Sequence, residues 1–410
     1  MRKNSFTDYT MGVMAALVII TCASCCKEDT PKENTRLQEV TDSLRSALQS
    51  DLGNTVPSLS VLIETPDDAY FACSAVPGET KVTPDTWFRF ASNSKNFTAT
   101  AVMNMYEDGW LDYKAKITDT IPGTKITYVP DDPEWAIPNK DIITIEQLLQ
   151  HSAGVYDVDN DSVPGCGGEG YVMYQLSLDQ NHQFTSTELI SQLTTYHLKY
   201  DYQPGEKHHY SNTGYTILGE IAARVYSSKK GITKTLTDYL YDYIYGPSAP
   251  VPLKVHFPNL AADQSLPDPY VCGTILNPGI GENMTNCHNN MSAHVAEGNG
   301  CGTMAALNTY IRTLMRGENV LEPSTVEIMK TDVIPADSSY GLGTYHVSSI
   351  GYGHNGAIYG YLSVMMYDPA TDISVITMMP LFDMTGGVAS FVKCFQAVHA
   401  LAAEAKKVAD

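Results

Sequence analysis

Two runs of β-forming residues, each broken by a short polar turn, stand near opposite ends of the chain. "SLSVLIETPDDAYFACSA" begins at Ser58, and "YLSVMMYDPATDISVITMMP" begins at Tyr361. Branched and aromatic residues on both sides of a Pro/Asp turn specify a hairpin. Helical patterns fill much of the space between them. Leu37, Val40, Leu44 and Leu48 recur at helical spacing. Phe97, Ala101, Val102 and Met105 form one face of a second helix, closed by "EDGWL". "TGYTILGEIAARVY" and "GTMAALNTYIRTLMRG" read as helices, the latter with a Gly stop, and "GGVASFVKCFQAVHALAAEAKK" reads as a closing amphipathic helix. The middle, roughly 120 to 290, is otherwise rich in loops, and no internal repeat is visible. Strands at both ends with helices between them predict an α+β fold: one antiparallel sheet built from both termini, flanked by helices, with an inserted helical lobe.

The chain has 410 residues, of which 43% are hydrophobic and 18% charged, ample for a large core. Its formal net charge of −20 repels phosphate backbones, which argues against a nucleic-acid partner. The acidic residues are dispersed, so the charge serves solubility.

Arg2 and Lys3 precede the apolar run "MGVMAALVII", which is followed by "TCASCC". A positive start, a short apolar run and small residues make a secretory signal rather than a membrane-spanning helix, which needs about 20 apolar residues. The cysteines after the apolar run resemble a bacterial lipoprotein signal. Cys25, preceded by Ala23 and Ser24, fits the lipidated position best, with Cys26 as the alternative. The expectation is a signal peptide over 1–24, a polar tether over 25–36 and a lipid-anchored domain in the periplasm or on the cell surface. Six cysteines follow, and Cys272 and Cys287, which bracket a loop rich in Gly, Pro and Asn, are the first pair expected to bond. No Cys/His spacing suggests zinc, and the adjacent His208 and His209 diverge, so neither a metal nor another cofactor is expected.

Chemistry concentrates in three places. "WFRFASNSKNFTA" (87–99) contains Ser92, Ser94 and Lys95. Serine is a poor nucleophile until a base takes its proton. A lysine three residues later on a helix shares its face, and burial lowers its pKa into a useful range. The spacing therefore selects Ser92 over Ser94. The same tetrad recurs at Ser24–Lys27, Ser227–Lys230 and Ser390–Lys393, so it does not identify a site by itself. The second place is Tyr210-Ser211-Asn212, where a phenol beside an ammonium can become a phenolate or pass a proton. Asn212 is suited to bond both the lysine and a substrate carbonyl. The third is His354-Asn355-Gly356, just before a β-run. Gly356 allows close backbone approach, and the Ala357 N–H can donate into an oxyanion hole.

Together, "FASNSKNFTA", "LLQHSAGV", "PGEKHHYSNTGYTILGEI" and "GHNGAIYGYLSVMMYDP" resemble the serine β-lactamase-like family. That family contains class C β-lactamases, D-alanyl-D-alanine carboxypeptidases, and related esterases and acyltransferases. The resemblance runs from about residue 38 to 400. It implies a β-lactamase/transpeptidase-like fold over 37–405, with an α/β lobe of about 37–98 and 300–405 and an all-α lobe of about 99–299. It also implies that Ser92 forms an acyl-enzyme, that Lys95 and Tyr210 move its proton, and that Asn212 orients substrate. His354 would support Tyr210 or meet a substrate carboxylate, and the N–H groups of Ser92 and Ala357 would form the oxyanion hole.

Two departures bear on function. His354 stands where β-lactamases usually carry lysine, and a neutral imidazole holds a carboxylate less strongly than an ammonium does. The family's "S-T-x-x-D-L" helix start reads "GTMAAL" here, which implies loss of a helix cap and its acidic partner. Tyr156, Tyr171 and Tyr174, in a segment bordering the implied cleft, suit either a bulky ligand or plain packing. The expected activity is a monomeric serine acyl-enzyme hydrolase acting on an amide or ester in the cell envelope, like the carboxypeptidases. The alternative is an esterase or acyltransferase using a bulky alcohol.

Overall fold

The computed structural model describes residues 30–78, 81–277, 284–335 and 337–409. The expected signal peptide and Cys25 lie outside them. Both expected hairpins form. Strand Ser58–Glu64 pairs antiparallel with Ala69–Ala75, and Tyr361–Asp368 pairs with Ile373–Met379. The hairpins meet along Ser58–Glu64 and Ile373–Met379. The sheet order is 69–75, 58–64, 373–379, 361–368, 351–358, 345–347.

Successive side chains on a strand point to opposite faces, so one sheet feeds two cores. Val61, Val364 and Val375 pack on one side with Leu37 and Leu48 of helix Thr35–Leu52 and with Val398 and Leu401 of helix Val388–Ala409. Leu62, Met365 and Ile376 face the other way, toward Leu307 and Ile311 of helix Met304–Met315. Every residue of Ile373–Met379 is buried, which explains why "ISVITMM" lacks polar alternation.

Residues 31–410 form one compact unit. The N-terminal helix begins at Thr35, and Lys32 pairs with Tyr70 on the outer strand. The described end of the expected tether is therefore already folded. The lobe boundary expected near 98–99 falls inside helix Ser94–Glu107. The segment read as all-helical also supplies strands to two small sheets. One joins 87–89, 301–303 and 255–256, and the other joins 381–383, 273–276 and 284–286. Strands of two to four residues are too short to show a period of two, so sequence pattern could not reveal them. Cys272 and Cys287 form the expected disulfide beside this second sheet. Cys73, Cys166, Cys301 and Cys394 remain thiols.

The cap expected to be lost before helix Met304–Met315 is present. Thr303 occupies the cap position, and its hydroxyl accepts the Ala306 N–H at 3.1 Å. The sequence departure places Gly302 at the motif's serine and Ala306 at its acidic position, and leaves the capping threonine in place.

Candidate active site

Ser92 lies in a 3-10 turn, Ala91–Asn93, that runs directly into helix Ser94–Glu107. Two side chains anchor this junction. Asn93 donates to the Phe90 carbonyl (2.8 Å) and to the Ser363 hydroxyl (2.9 Å), tying the turn to the sheet. Ser94 donates to the Ala91 carbonyl (2.7 Å) and accepts the Gly300 N–H (2.9 Å). Ser94 is thus structural and buried, while Ser92 remains partly exposed. The other described Ser-x-x-Lys copies also have structural partners. Ser227 bonds the Lys234 backbone, Ser390 accepts the Gly386 N–H, and Lys393 donates to the Asp51 carbonyl.

Lys95 is fully buried, one helical turn from Ser92. Its Nζ lies 3.2 Å from Ser92 Oγ, 2.7 Å from Asn212 Oδ1 and 2.8 Å from the Glu297 carbonyl. Glu297 Oε2 is at 3.3 Å. Burial pushes the Lys95 pKa down, and the Glu297 charge opposes that shift.

Tyr210 hydrogen-bonds Ser92, and its ring centre is 4.7 Å from Lys95 Nζ. Desolvation pushes its phenol well above the ordinary value, so of the two expected roles the phenolate is disfavoured and the proton-passing phenol is favoured. His151 stacks behind Tyr210 at 4.1 Å. It accepts the Ser211 N–H at 3.1 Å and is kept neutral by burial and by the nearby Lys95 charge.

Asn212 begins helix Asn212–Lys230. Its Oδ1 accepts from Lys95 as expected, and one of its two Nδ2 hydrogens goes to Asp159 Oδ2 at 2.7 Å. Its backbone N–H donates to Asp157, whose carboxyl is pushed up to about 6 by burial and by neighbouring Asp159.

His354 departs most from expectation. It lies inside strand Gly351–Ile358 and is fully buried. Burial, reinforced by the Lys95 charge, holds its pKa down at about 3, so the ring is neutral. A neutral imidazole has one donor and one acceptor nitrogen. Nδ1 faces the Asn355 carbonyl at 2.6 Å and must donate, so Nε2 accepts from the Tyr340 hydroxyl at 3.0 Å. Both nitrogens are spent, and the ring lies 6.3 Å from that of Tyr210. The residue neither bonds Tyr210 nor presents a proton to a carboxylate.

Gly356 is needed for packing rather than for substrate approach. A Cβ there would stand 2.1 Å from the Phe90 carbonyl oxygen. The strand thereby lies against the Ser92 turn, and Ala357 follows on the same partly exposed strand end. Among the described residues, 354–358 have no partner strand on their outer side, since strand Tyr345–Val347 pairs only with 351–353. Tyr156 and Tyr171 pack and bond locally, donating to the Ser162 carbonyl and to Glu188. Tyr174 packs against the same core. His208 and His209 diverge toward Asp337 and Asp161 respectively.

Sequence reading missed Glu297, His294, Asp157 and Asp159. Glu297 Oε1 accepts from His294 Nδ1 at 2.5 Å, and Asp159 Oδ2 lies 3.7 Å from the same nitrogen. Burial alone would lower the His294 pKa, but the two carboxylates outweigh it and raise the group to about 9. Lys95 and His294 in turn outweigh the effect of burial on Glu297 and hold its carboxyl below the usual value. The donor atoms of Asp159, His294 and Glu297 fall within 4.8 Å of one another. The two protonated partners already balance their negative charge, so these residues are an ion-pair network without need of a cation.

A sheet built from both termini, carrying a serine, a buried lysine and a tyrosine between sheet and helices, defines a serine hydrolase of the β-lactamase/transpeptidase-like class. The chain belongs to the Beta-lactamase family, whose sequence model matches residues 55–388. Similar solved structures include a D-amino acid amidase from Ochrobactrum anthropi, at 19% identity and a TM-score of 0.69, covering 91% of this chain and 100% of that one. A D-stereospecific amidohydrolase from Streptomyces aligns at 20% identity and a TM-score of 0.65, covering 86% and 98%. Among curated proteins, "Protein flp" of Staphylococcus aureus is 26% identical over 45% of this chain and 32% of its own length. An N-acetylmuramyl-L-alanine amidase of Bacillus subtilis is 33% identical over 35% of this chain and 29% of its own. The chain thus spans about a third of the curated relatives it matches.

Proposed function

We propose that this protein hydrolyses an amide through an acyl-enzyme on Ser92. The observation that carries the reading is the buried Lys95 amine 3.2 Å from the Ser92 hydroxyl, with the Tyr210 phenol against the same serine. Neutral Lys95 takes the Ser92 proton as Oγ attacks the carbonyl carbon. The Tyr210 phenol gives its proton to the departing nitrogen and is reprotonated from Lys95. Water then releases the acyl group by the reverse proton path. The N–H groups of Ser92 and Ala357 hold the oxyanion. Asn212 holds Lys95 in place. The amidases among similar proteins support an amide substrate.

The leaving group carries no obligatory carboxylate in this reading, because His354 is neutral, buried and doubly bonded. A panel of matched amides with and without a carboxylate on the leaving group tests this. Similar kcat/KM within each pair, about fivefold or less, is expected, since the missing ion pair is worth only ~1 kcal/mol or less. A preference of about a hundredfold for the carboxylate would overturn it. Mass spectrometry of the same reactions with an added alcohol separates hydrolysis from acyl transfer, and a dominant ester product would favour the transferase alternative.

We also place the protein at the cell envelope, on the strength of Arg2, Lys3, the following apolar run and Cys25. Among the described residues no helix is long and apolar enough to cross a membrane. Cys25→Ser is expected to move the protein from the membrane fraction to the soluble fraction. Retention in the membrane by that variant, with release by Cys26→Ser, would transfer the anchor to Cys26.

A further inference from the structure

Four polar groups close a ring with the buried lysine. Lys95 Nζ contacts Glu297 Oε2 (3.3 Å), and Glu297 Oε1 accepts from His294 (2.5 Å). His294 Nδ1 faces Asp159 (3.7 Å), and Asp159 accepts from Asn212 (2.7 Å). Asn212 Oδ1 accepts from Lys95 (2.7 Å), which closes the circuit. The members come from helix Ser94–Glu107, the 3-10 turn Ser292–His294 and the segment after it, the loop before helix Tyr171–Leu178 and the start of helix Asn212–Lys230. With all four ionisable groups charged, the ring carries two positive and two negative charges. A charge-neutral circuit, hydrogen-bonded except for the longer His294–Asp159 ion pair, is the arrangement in which buried ions are tolerated.

Glu297 is doubly engaged. Its backbone carbonyl and its carboxylate both reach Lys95, so the residue fixes the position of the amine and faces its charge at once. The other groups around Lys95 are Ser92, the Tyr210 and Tyr215 rings, His151, His354, Tyr345 and Asp157. The phenols have raised pKa values and His151 and His354 have lowered ones, so these stay uncharged near neutrality. That leaves the ring's own ions, together with Asp157, whose carboxyl sits at about 6, as the charges that act on Lys95.

We propose that Glu297 is a positioning residue that, through its ring with His294 and Asp159, sets the pH at which Lys95 becomes the base for Ser92. The proposal rests on the reading of Lys95 as that base. Turnover requires the neutral amine, so activity rises with pH through the Lys95 pKa. Glu297 favours the ammonium and holds that rise at higher pH, whereas His294 opposes it. By reciprocity, the Lys95 charge lowers His294, so the His294 charge lowers Lys95.

The test is the pH dependence of kcat/KM with p-nitrophenyl acetate on the full chain. In Glu297→Gln the acid limb should move down by about one pH unit or more, and in His294→Gln it should move up. Glu297→Asp should restore part of the first shift. Circular dichroism and thermal melting identify variants that remain folded. If Glu297→Gln does not fold, the opposite shift in His294→Gln carries the test alone. Unmoved limbs in the folded variants would overturn the proposal while leaving Lys95 as the base. Full turnover in Lys95→Met would instead refute the reading on which it rests.

Discussion

Ser92→Ala is expected to lower amide turnover by about 10⁴-fold or more, with binding largely kept. The size follows from what is lost. The proposed oxyanion donors are backbone groups and survive the substitution, but no atom remains to form the acyl-enzyme. Stability should change little, because the hydroxyl is partly exposed and the turn is held by Asn93 and Ser94 rather than by Ser92. Ser94 cannot substitute for it. Its hydroxyl is committed to Ala91 and Gly300 and is buried. Steady-state kinetics with a thermal melt checks both halves of the expectation.

Lys95→Met should be damaging in two ways. Loss of the base is expected to cost about 10²–10⁴-fold in turnover. The second cost is to stability. Lys95 and Glu297 form a buried ion pair, with side chains 0% and 4% exposed. Removing one member of such a pair costs about 3–5 kcal/mol. The remaining contact of Glu297 with His294 should hold the loss toward the lower end of that range. Lys95→Arg should not rescue activity. A guanidinium is too wide for a site where one nitrogen meets Asn212 and Glu297 at 2.7 and 2.8 Å, and it does not deprotonate near neutral pH. Denaturant melts and kcat/KM measured on the same preparations separate the two effects.

What was legible in the sequence follows from range. The hairpins at Ser58 and Tyr361 announce themselves through local residue choice, and the turn residues between their strands fix the register. Ser92 and Lys95 are one helical turn apart, so their contact is a matter of spacing. Tyr210 and Asn212 needed the likeness to a family, since nothing local says that they meet Lys95. Glu297 and Asp159 were invisible for the same reason. Their partners are distant in sequence, and a single His-x-x-Glu pair is too common to mark a site. His354 shows the opposite failure. Its motif position suggested a ligand-facing role, but burial and two internal hydrogen bonds made it part of the scaffold. Thr303 likewise kept a cap that the altered motif seemed to remove.

The central claim is that Ser92 carries the acyl group, and trapping that group tests it most directly. Intact-mass spectrometry after incubation with a slowly deacylating β-lactam or activated ester, followed by peptide mapping, should find one adduct on the peptide containing Ser92. Ser92→Ala should give none. An adduct on another residue, or undiminished amide turnover by Ser92→Ala, would contradict the account.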